Sequence, residues 1–299
     1  MITTKASDVD FVGRCREVIS DPLNLLIERV PLAGTLAGDD IYLHNGNRVP
    51  ASGPGAYYGQ FSTLLALNRG VHEPLEEYVF QELLKHLPPS PSMIELGAYW
   101  AHYSMWLKRV RPQATVTMVE PDRGNLAAGQ ANFARNGFDG EFIHEIVGNG
   151  HWELDKFINS RGISHLDILH ADIQGAEGEL LEGGQKTFAN KLIDYVFVST
   201  HSQDLHRRVV GDFARFGYRV EVSSDFDNET TSYDGFVFAT GPASRRVFSN
   251  FDHFGRTKIV TSSAREALQA VLKMRDSATS LNSTAASINP ISIQYSTGK

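Results

Sequence analysis

Two hydrophobic rhythms alternate along this chain. From Glu73 onward, Leu75, Tyr78, Val79, Leu83, Leu84 and Leu87 recur at the spacing of one helix face, opened by Pro74 and stopped by Pro88-Pro89. A short continuous apolar run at 92–96 predicts a strand, helical spacing over 102–110 ends at Pro112, and 115–119 predicts a second strand. The pattern continues with helix 123–136 capped by Gly137, strand 142–147, helix 154–159, strand 166–173, helix 176–190, strand 195–200 and helix 205–216. Two last apolar runs, 218–222 and 235–239, flank a turn-rich segment and are expected to be antiparallel. The prediction is an α/β fold: a mostly parallel, seven-stranded sheet with helices on both faces and one reversed strand at its edge. In such sheets ligands sit at the carboxyl ends of the strands.

Residues 1–70 read as an N-terminal extension or lid on a domain spanning 71–243. They hold an apolar cluster (Leu23, Leu25, Leu26, Ile27), a hairpin over 41–49 turned by Asn45-Gly46, and a Gly/Pro/Tyr-rich loop over 51–60. A C-terminal helical segment over 244–276 carries Leu268, Val271 and Leu272 at helical spacing, which either packs on the sheet or pairs with another subunit. Residues 277–299, rich in Ser, Thr, Asn and Ala, read as a flexible tail.

Composition narrows the classes. The 299 residues are 41% hydrophobic, enough for a sizeable core, and the single cysteine, Cys15, excludes an internal disulfide framework. A net charge of −7 argues against a nucleic-acid partner. No run approaches the ~20 apolar residues of a membrane span, and the first residues lack the apolar core of a signal peptide. The expectation is a cytoplasmic protein that meets a small molecule rather than a membrane.

Chemistry-bearing residues collect at the predicted strand ends. The first strand runs into Glu95-Leu96-Gly97-Ala98-Tyr99-Trp100-Ala101, where Gly97 permits a sharp turn and Ala98 and Ala101 let backbone approach a ligand. The second ends in Val119-Glu120-Pro121-Asp122, near the ~20-residue spacing at which an acid bonds a ribose diol. Taken alone, Glu120 and Asp122 also read as acids favoured at a helix N-terminus. Glu145, ending the third strand, is placed to meet an adenine edge. Tyr99, Trp100 and Tyr103 read either as an aromatic wall or as core packing. The histidines at 102, 144, 165, 170 and 206 have no zinc-type spacing and read as surface or packing residues, so no metal is required.

The most specific stretch is Leu166 to Gly184, containing Asp172-Ile173-Gln174-Gly175-Ala176-Glu177 and Leu180-Leu181-Glu182-Gly183. It resembles the Asp-[Ile/Val]-Glu-Gly-Ala-Glu-x-x-[Val/Leu]-Leu-x-Gly signature of the FkbM-type methyltransferases. The stretch Leu154-Asp155-Lys156-Phe157, the segment His72-Glu73-Pro74-Leu75 and the Asn132/Asn136-Gly137 pair are similar to that family as well. The resemblance covers 71–241 and implies a class I, Rossmann-like methyltransferase fold with S-adenosyl-L-methionine as cofactor and O-methylation of a sugar or natural-product hydroxyl. It implies that Glu95, Gly97 and Ala98 form the first nucleotide-binding motif, that Glu120 binds the ribose, and that Asp172 and Glu177 are the acids of the signature; Tyr99 stands in the same loop as a further candidate cofactor contact.

The chain departs from the pattern in three places: Tyr99 and Ala101 replace the usual Asn and second Gly of the first motif, Gln174 replaces Glu, and Val198-Ser199-Thr200-His201 keeps the His of Glu-x-His without its acid. In-line methyl transfer needs alignment and a base for the hydroxyl proton, for which Asp172 and His201 are the candidates. Helix-capping roles compete for both. Two alternatives stay open: a catalytically inactive cofactor-binding or regulatory protein of the same fold, and a dinucleotide-dependent oxidoreductase, against which the missing Gly-x-Gly-x-x-Gly stands.

Overall fold

The computed structural model describes residues 10–279, except 54 and 58–61. Part of the 51–60 loop and the tail from 280 lie outside these residues. The N-terminal part holds α1 (Phe11–Ser20) and three short antiparallel strands, β1 (Leu36–Ala37), β2 (Asp40–Tyr42) and β3 (Arg48–Pro50). The predicted hairpin is present, with Ile41 opposite Val49 and Gly46 at φ +87° in its turn. Helix α2 (Ser62–Leu67) leads to α3 (Pro74–Leu84).

Strands and helices then alternate: β4 (Ser92–Leu96), α4 (His102–Val110), β5 (Thr115–Val119), α5 (Arg123–Asn136), β6 (Glu141–Ile143), α6 (Leu154–Arg161), β7 (Leu166–Ala171). Helices α7 (Glu177–Gly183) and α8 (Gln185–Ala189) precede β8 (Ile193–Thr200), α9 (Gln203–Arg215), β9 (Arg219–Ser224) and β10 (Gly235–Thr240). Helices α10 (Arg256–Thr261) and α11 (Ala264–Ser277) complete the described chain. Among the described residues no helix is long and apolar enough to cross a membrane.

The sheet order is β6-β5-β4-β7-β8-β10-β9, with β10 antiparallel to both of its neighbours. The seven strands and their mostly parallel pairing agree with the sequence reading. The reversed strand does not lie at the edge: β10 inserts between β8 and β9. All six of its residues are buried, so it takes an interior place, whereas β9 exposes part of its length.

Two further boundaries differ. The strand expected over 142–147 pairs only through Ile143, and Glu145 lies in the loop beyond it. The helix expected over 176–190 breaks at Gly184, where Phe188 and Leu154 pack so closely that a β-carbon would meet them at 2.8 and 2.9 Å.

Apolar side chains fill both faces of the sheet. On one face Ile168, Phe197 and Phe238 join Leu23, Ile41, Leu43 and Tyr57 of the N-terminal part in one cluster, so that part shares its core with the sheet. On the other, Leu96, Leu169 and Val196 pack with Leu154, Leu181 and Phe213. Within the 264–274 pattern, Val271 and Met274 join the core while Leu268 and Leu272 are exposed.

Candidate active site

Strand β4 delivers the chain into Gly97, whose backbone is left-handed at φ +71°. Beside it, the Asp172 N–H donates to the Leu96 carbonyl at 3.0 Å as β7 ends. A β-carbon on residue 97 would sit 1.7 Å from the Asp172 carbonyl oxygen, so both conformation and close approach require glycine. Tyr99 (φ 45°) and Ala101 (φ 63°) are also left-handed, at the two positions of the first motif where the chain departs from the FkbM pattern. Side chains carry a strain there that glycine avoids.

Glu120, just past β5, holds this loop. Its Oε2 accepts the Tyr99 N–H and its Oε1 the Asp122 N–H, both at 2.9 Å. Burial raises its pKa, against the pull of those hydrogen bonds. The Tyr99 hydroxyl donates to the Ala56 carbonyl at 3.3 Å. Trp100 and Tyr103 are buried in the core. Ala98 is buried as well, and Glu95 turns under the loop, where it accepts the Ser104 N–H of α4 at 3.1 Å. Asp122 caps α5 by accepting the Asn125 N–H. Glu145 bonds the Ile146 N–H and faces His151.

Next to Gly97, four strand-end or helix-start segments bring their acids together. His201, just after β8, lies 2.7 Å through Nδ1 from Glu177 Oε1, and its Nε2 stands 3.2 Å from Asp172 Oδ1 and 3.4 Å from Asp234 Oδ1. Gln174, left-handed at φ 51°, donates its amide to Asp172 Oδ1 at 2.9 Å. Glu73, Asp172 and Asp234 each offer an oxygen within 4.8 Å of the others, a set able to hold a divalent cation. Positive charge is already present: Arg14 of α1 stands 3.7 Å from Glu73 and donates to the Tyr57 hydroxyl at 2.7 Å. A cavity of about 10 Å³, the room one water needs, lies between Glu73, Ser199, Thr230 and Asp234.

Charges in this cluster are strongly coupled. Burial opposes the His201 charge, but its hydrogen bonds to Asp172 and Glu177 and the field of Asp234 prevail, and its pKa is pushed up to about 11. Burial drives Asp234 up to about 7 against the opposing pull of His201, with Asp172 adding to the rise. Glu73 is likewise raised by burial to about 7, with Glu76 and Asp172 reinforcing the rise against His72. Asp172 is lowered despite its burial, because it accepts from His201 and Gln174.

The arrangement is therefore an imidazolium flanked by acids, two of which titrate near neutrality. It can orient a polar ligand and exchange a proton with it.

Asp172, Gly97 and His201 thus lie together, and Glu120 meets Tyr99 at the adjoining loop, while Glu95, Asp122 and Glu145 have local partners. Glu73, Asp234 and Arg14 were not singled out as site residues in the sequence. Glu73 lies in the His72-Glu73-Pro74-Leu75 segment, where it reads as a helix-start residue. Asp234 ends a loop and Arg14 sits far away in sequence, so neither carries a local signal.

Residues 151–220, which include Asp172, Glu177 and His201, match the family model described as the methyltransferase FkbM domain. Over this segment the chain is similar to the FkbM type. The seven-stranded sheet that carries the segment has the class I methyltransferase architecture. No curated protein matches the sequence.

Among solved structures the chain is similar to the precorrin-6y C5,15-methyltransferase of Geobacter metallireducens, with 14% identity and a TM-score of 0.41 over 55% of this chain and 88% of that one. It is also similar to the TrmK of M. capricolum, solved with S-adenosyl-homocysteine, with 13% identity and a TM-score of 0.41 over 66% of this chain and 95% of that one.

Proposed function

We propose that this FkbM-type chain is an S-adenosylmethionine-dependent methyltransferase acting on the hydroxyl of a small acceptor. The observation that carries the reading is the placement of Asp172, His201, Asp234 and Glu73 directly beside the Gly97 turn at the carboxyl edge of the sheet.

The residues suit the cofactor. Gly97 makes the sharp turn that seats the loop against the Asp172 backbone, and the Glu120 carboxylate keeps acceptor capacity beyond the N–H groups it already binds. These residues would hold the nucleoside end. Bound S-adenosylmethionine supplies a methyl group on a sulfonium. The chain's own work is to align the acceptor oxygen and take its proton.

Asp234, with a pKa near 7, is the group that would accept the proton of an acceptor hydroxyl. His201 stays charged through neutral pH and orients Asp172 and Asp234 rather than acting as the base. Arg14 and Tyr57 close the acceptor side from the N-terminal segment.

Calorimetric titration with S-adenosylmethionine and S-adenosylhomocysteine, with NADH as control, tests the cofactor. Saturable binding of both that weakens in Glu120→Ala is expected. Binding of NADH alone would replace the reading with a dinucleotide-dependent one. With cofactor bound, Asp172→Asn and Asp234→Asn should lower turnover of a screened hydroxylated acceptor at least tenfold. Cofactor binding with no turnover on any hydroxylated acceptor would leave the inactive binding protein as the better account.

A further inference from the structure

Next to Glu73, which His72 faces at 3.6 Å, three histidines and one glutamate meet in the core. His44 follows β2, His72 precedes α3, Glu77 lies in α3 and His102 opens α4. Their side chains are between 0% and 3% exposed. Gly70 makes the convergence possible: at φ +82° its carbonyl accepts the His44 N–H, and a β-carbon there would meet that nitrogen at 2.2 Å. Trp106 packs edge-on against His44 and Trp100 stacks on His102, which keeps the pocket dry.

The hydrogen bonds do not account for this cluster. The His44 Nδ1 faces the Glu28 carbonyl at 3.4 Å, so this nitrogen carries the proton and the Nε2 presents its lone pair. That lone pair stands 3.2 Å from Glu77 Oε2, an acceptor against an acceptor, and neither atom has a hydrogen-bond partner. His102 has no partner on either ring nitrogen, and its Nε2 lies 3.7 Å from Glu77 Oε1. A buried imidazole left unpaired is costly.

A bound cation resolves both contacts. Two ligands of a tetrahedral ion with bonds of ~2.0–2.1 Å stand about 3.3 Å apart, and the two imidazole nitrogens lie at 3.2 and 3.7 Å from the Oε2 and the Oε1 of Glu77 respectively, one on each carboxylate oxygen. All three ligand atoms lie within 4.8 Å of one another. His72 stands beside the carboxylate: its Nδ1 lies 2.5 Å from Glu77 Oε1 and its backbone N–H donates to that oxygen at 3.1 Å, fixing the carboxylate as outer-shell partners of metal ligands do.

We propose that His44, His102 and Glu77 form a buried site for a borderline transition-metal ion, zinc in the first instance, with His72 beside the carboxylate. Two imidazoles and a carboxylate form a nitrogen-and-oxygen donor set of the kind zinc takes. The ion ties the N-terminal strands to α3 and α4, and His102 follows directly on the left-handed Ala101 of the cofactor loop. The inference stands apart from the methyltransferase reading and survives its failure.

The test is metal content of the full chain as purified, followed by chelator treatment and titration with Zn²⁺ or Co²⁺. About one equivalent of metal is expected, with visible absorption bands of tetrahedral Co²⁺ and a rise in Tm of about 5–10 °C at hundredfold excess over Kd. His102→Gln and Glu77→Gln should lose the equivalent. His165→Ala, which breaks the exposed His165, Asp167 and Asp194 group, should keep it.

Metal retained by His102→Gln or lost in His165→Ala would overturn the assignment. So would a wild-type chain that neither retains metal nor responds to Zn²⁺ or Co²⁺ in Tm or spectrum. Should the core variants fail to fold, the wild-type Co²⁺ spectrum decides: tetrahedral bands support the site, and octahedral or absent bands overturn it.

Discussion

Gly97 lies so close under Asp172 that a β-carbon at position 97 would sit 1.7 Å from the Asp172 carbonyl oxygen. The turn after β4 and the acid at the end of the neighbouring strand are thus one piece of geometry. Gly97→Ala should destabilise the fold by roughly 2–5 kcal/mol, from the left-handed φ and the overpacking together. Denaturant unfolding measures this, and a loss below about 1 kcal/mol would show that the two strand ends can separate freely.

Glu120 binds two backbone N–H groups, those of Tyr99 and Asp122. Glu120→Ala leaves both without their acceptor and should cost about 1–3 kcal/mol of stability even before any ligand is added. Glu120→Gln keeps an oxygen acceptor and should recover part of that loss. Equal stability of all three proteins would remove Glu120 from the support of the loop.

Ala101 occupies a left-handed position, φ 63°, as the residue before α4. Substituting glycine at a buried alanine normally destabilises, but here it relieves backbone strain at a helix cap. Ala101→Gly should therefore hold stability level or raise it by up to about 1 kcal/mol. Thermal unfolding that shows a loss larger than this would mean the methyl group contributes more in packing than the strain costs.

The charge cluster sets a pH dependence with a definite sign. The His201 pKa is raised from its ordinary 6.5 to about 11, so its stabilisation is full below 6.5 and is lost as pH rises toward 11. Asp234 and Glu73 are raised to about 7 from ordinary values of 3.8 and 4.5, so the folded state binds their protons more tightly and loses stability as pH rises through that interval. The two effects add. Tm should fall steadily from about pH 5 to about pH 9, and Asp234→Asn should flatten the part below about pH 7. A Tm that climbs over this range would contradict the crowding of these acids.

Much of the sheet was legible because its signals are local. Apolar runs at 92–96 and 115–119, Pro74 at a helix start and Gly137 at a helix end act within a few residues of themselves, and the structure places these elements at the expected positions. The motif Asp172 to Gly184 and the loop at Gly97 were legible for the same reason.

Contacts between distant segments decided the rest. β10 lies inside the sheet because a fully apolar strand gains from two covered faces and two paired edges, which no single run of residues encodes. Glu73, Asp172, Asp234 and Arg14 come from four separate parts of the chain. Their pKa values follow from mutual distance and burial, both set only once the N-terminal segment packs against the sheet. His44, His72 and His102 carry no spacing signal in sequence, yet three turns of backbone bring them around one carboxylate. The sequence alone determined most of the alternating strands and helices, because their signals are local. Tertiary packing alone determined which charges share a low-dielectric interior, because electrostatic coupling depends on distance through space and not along the chain.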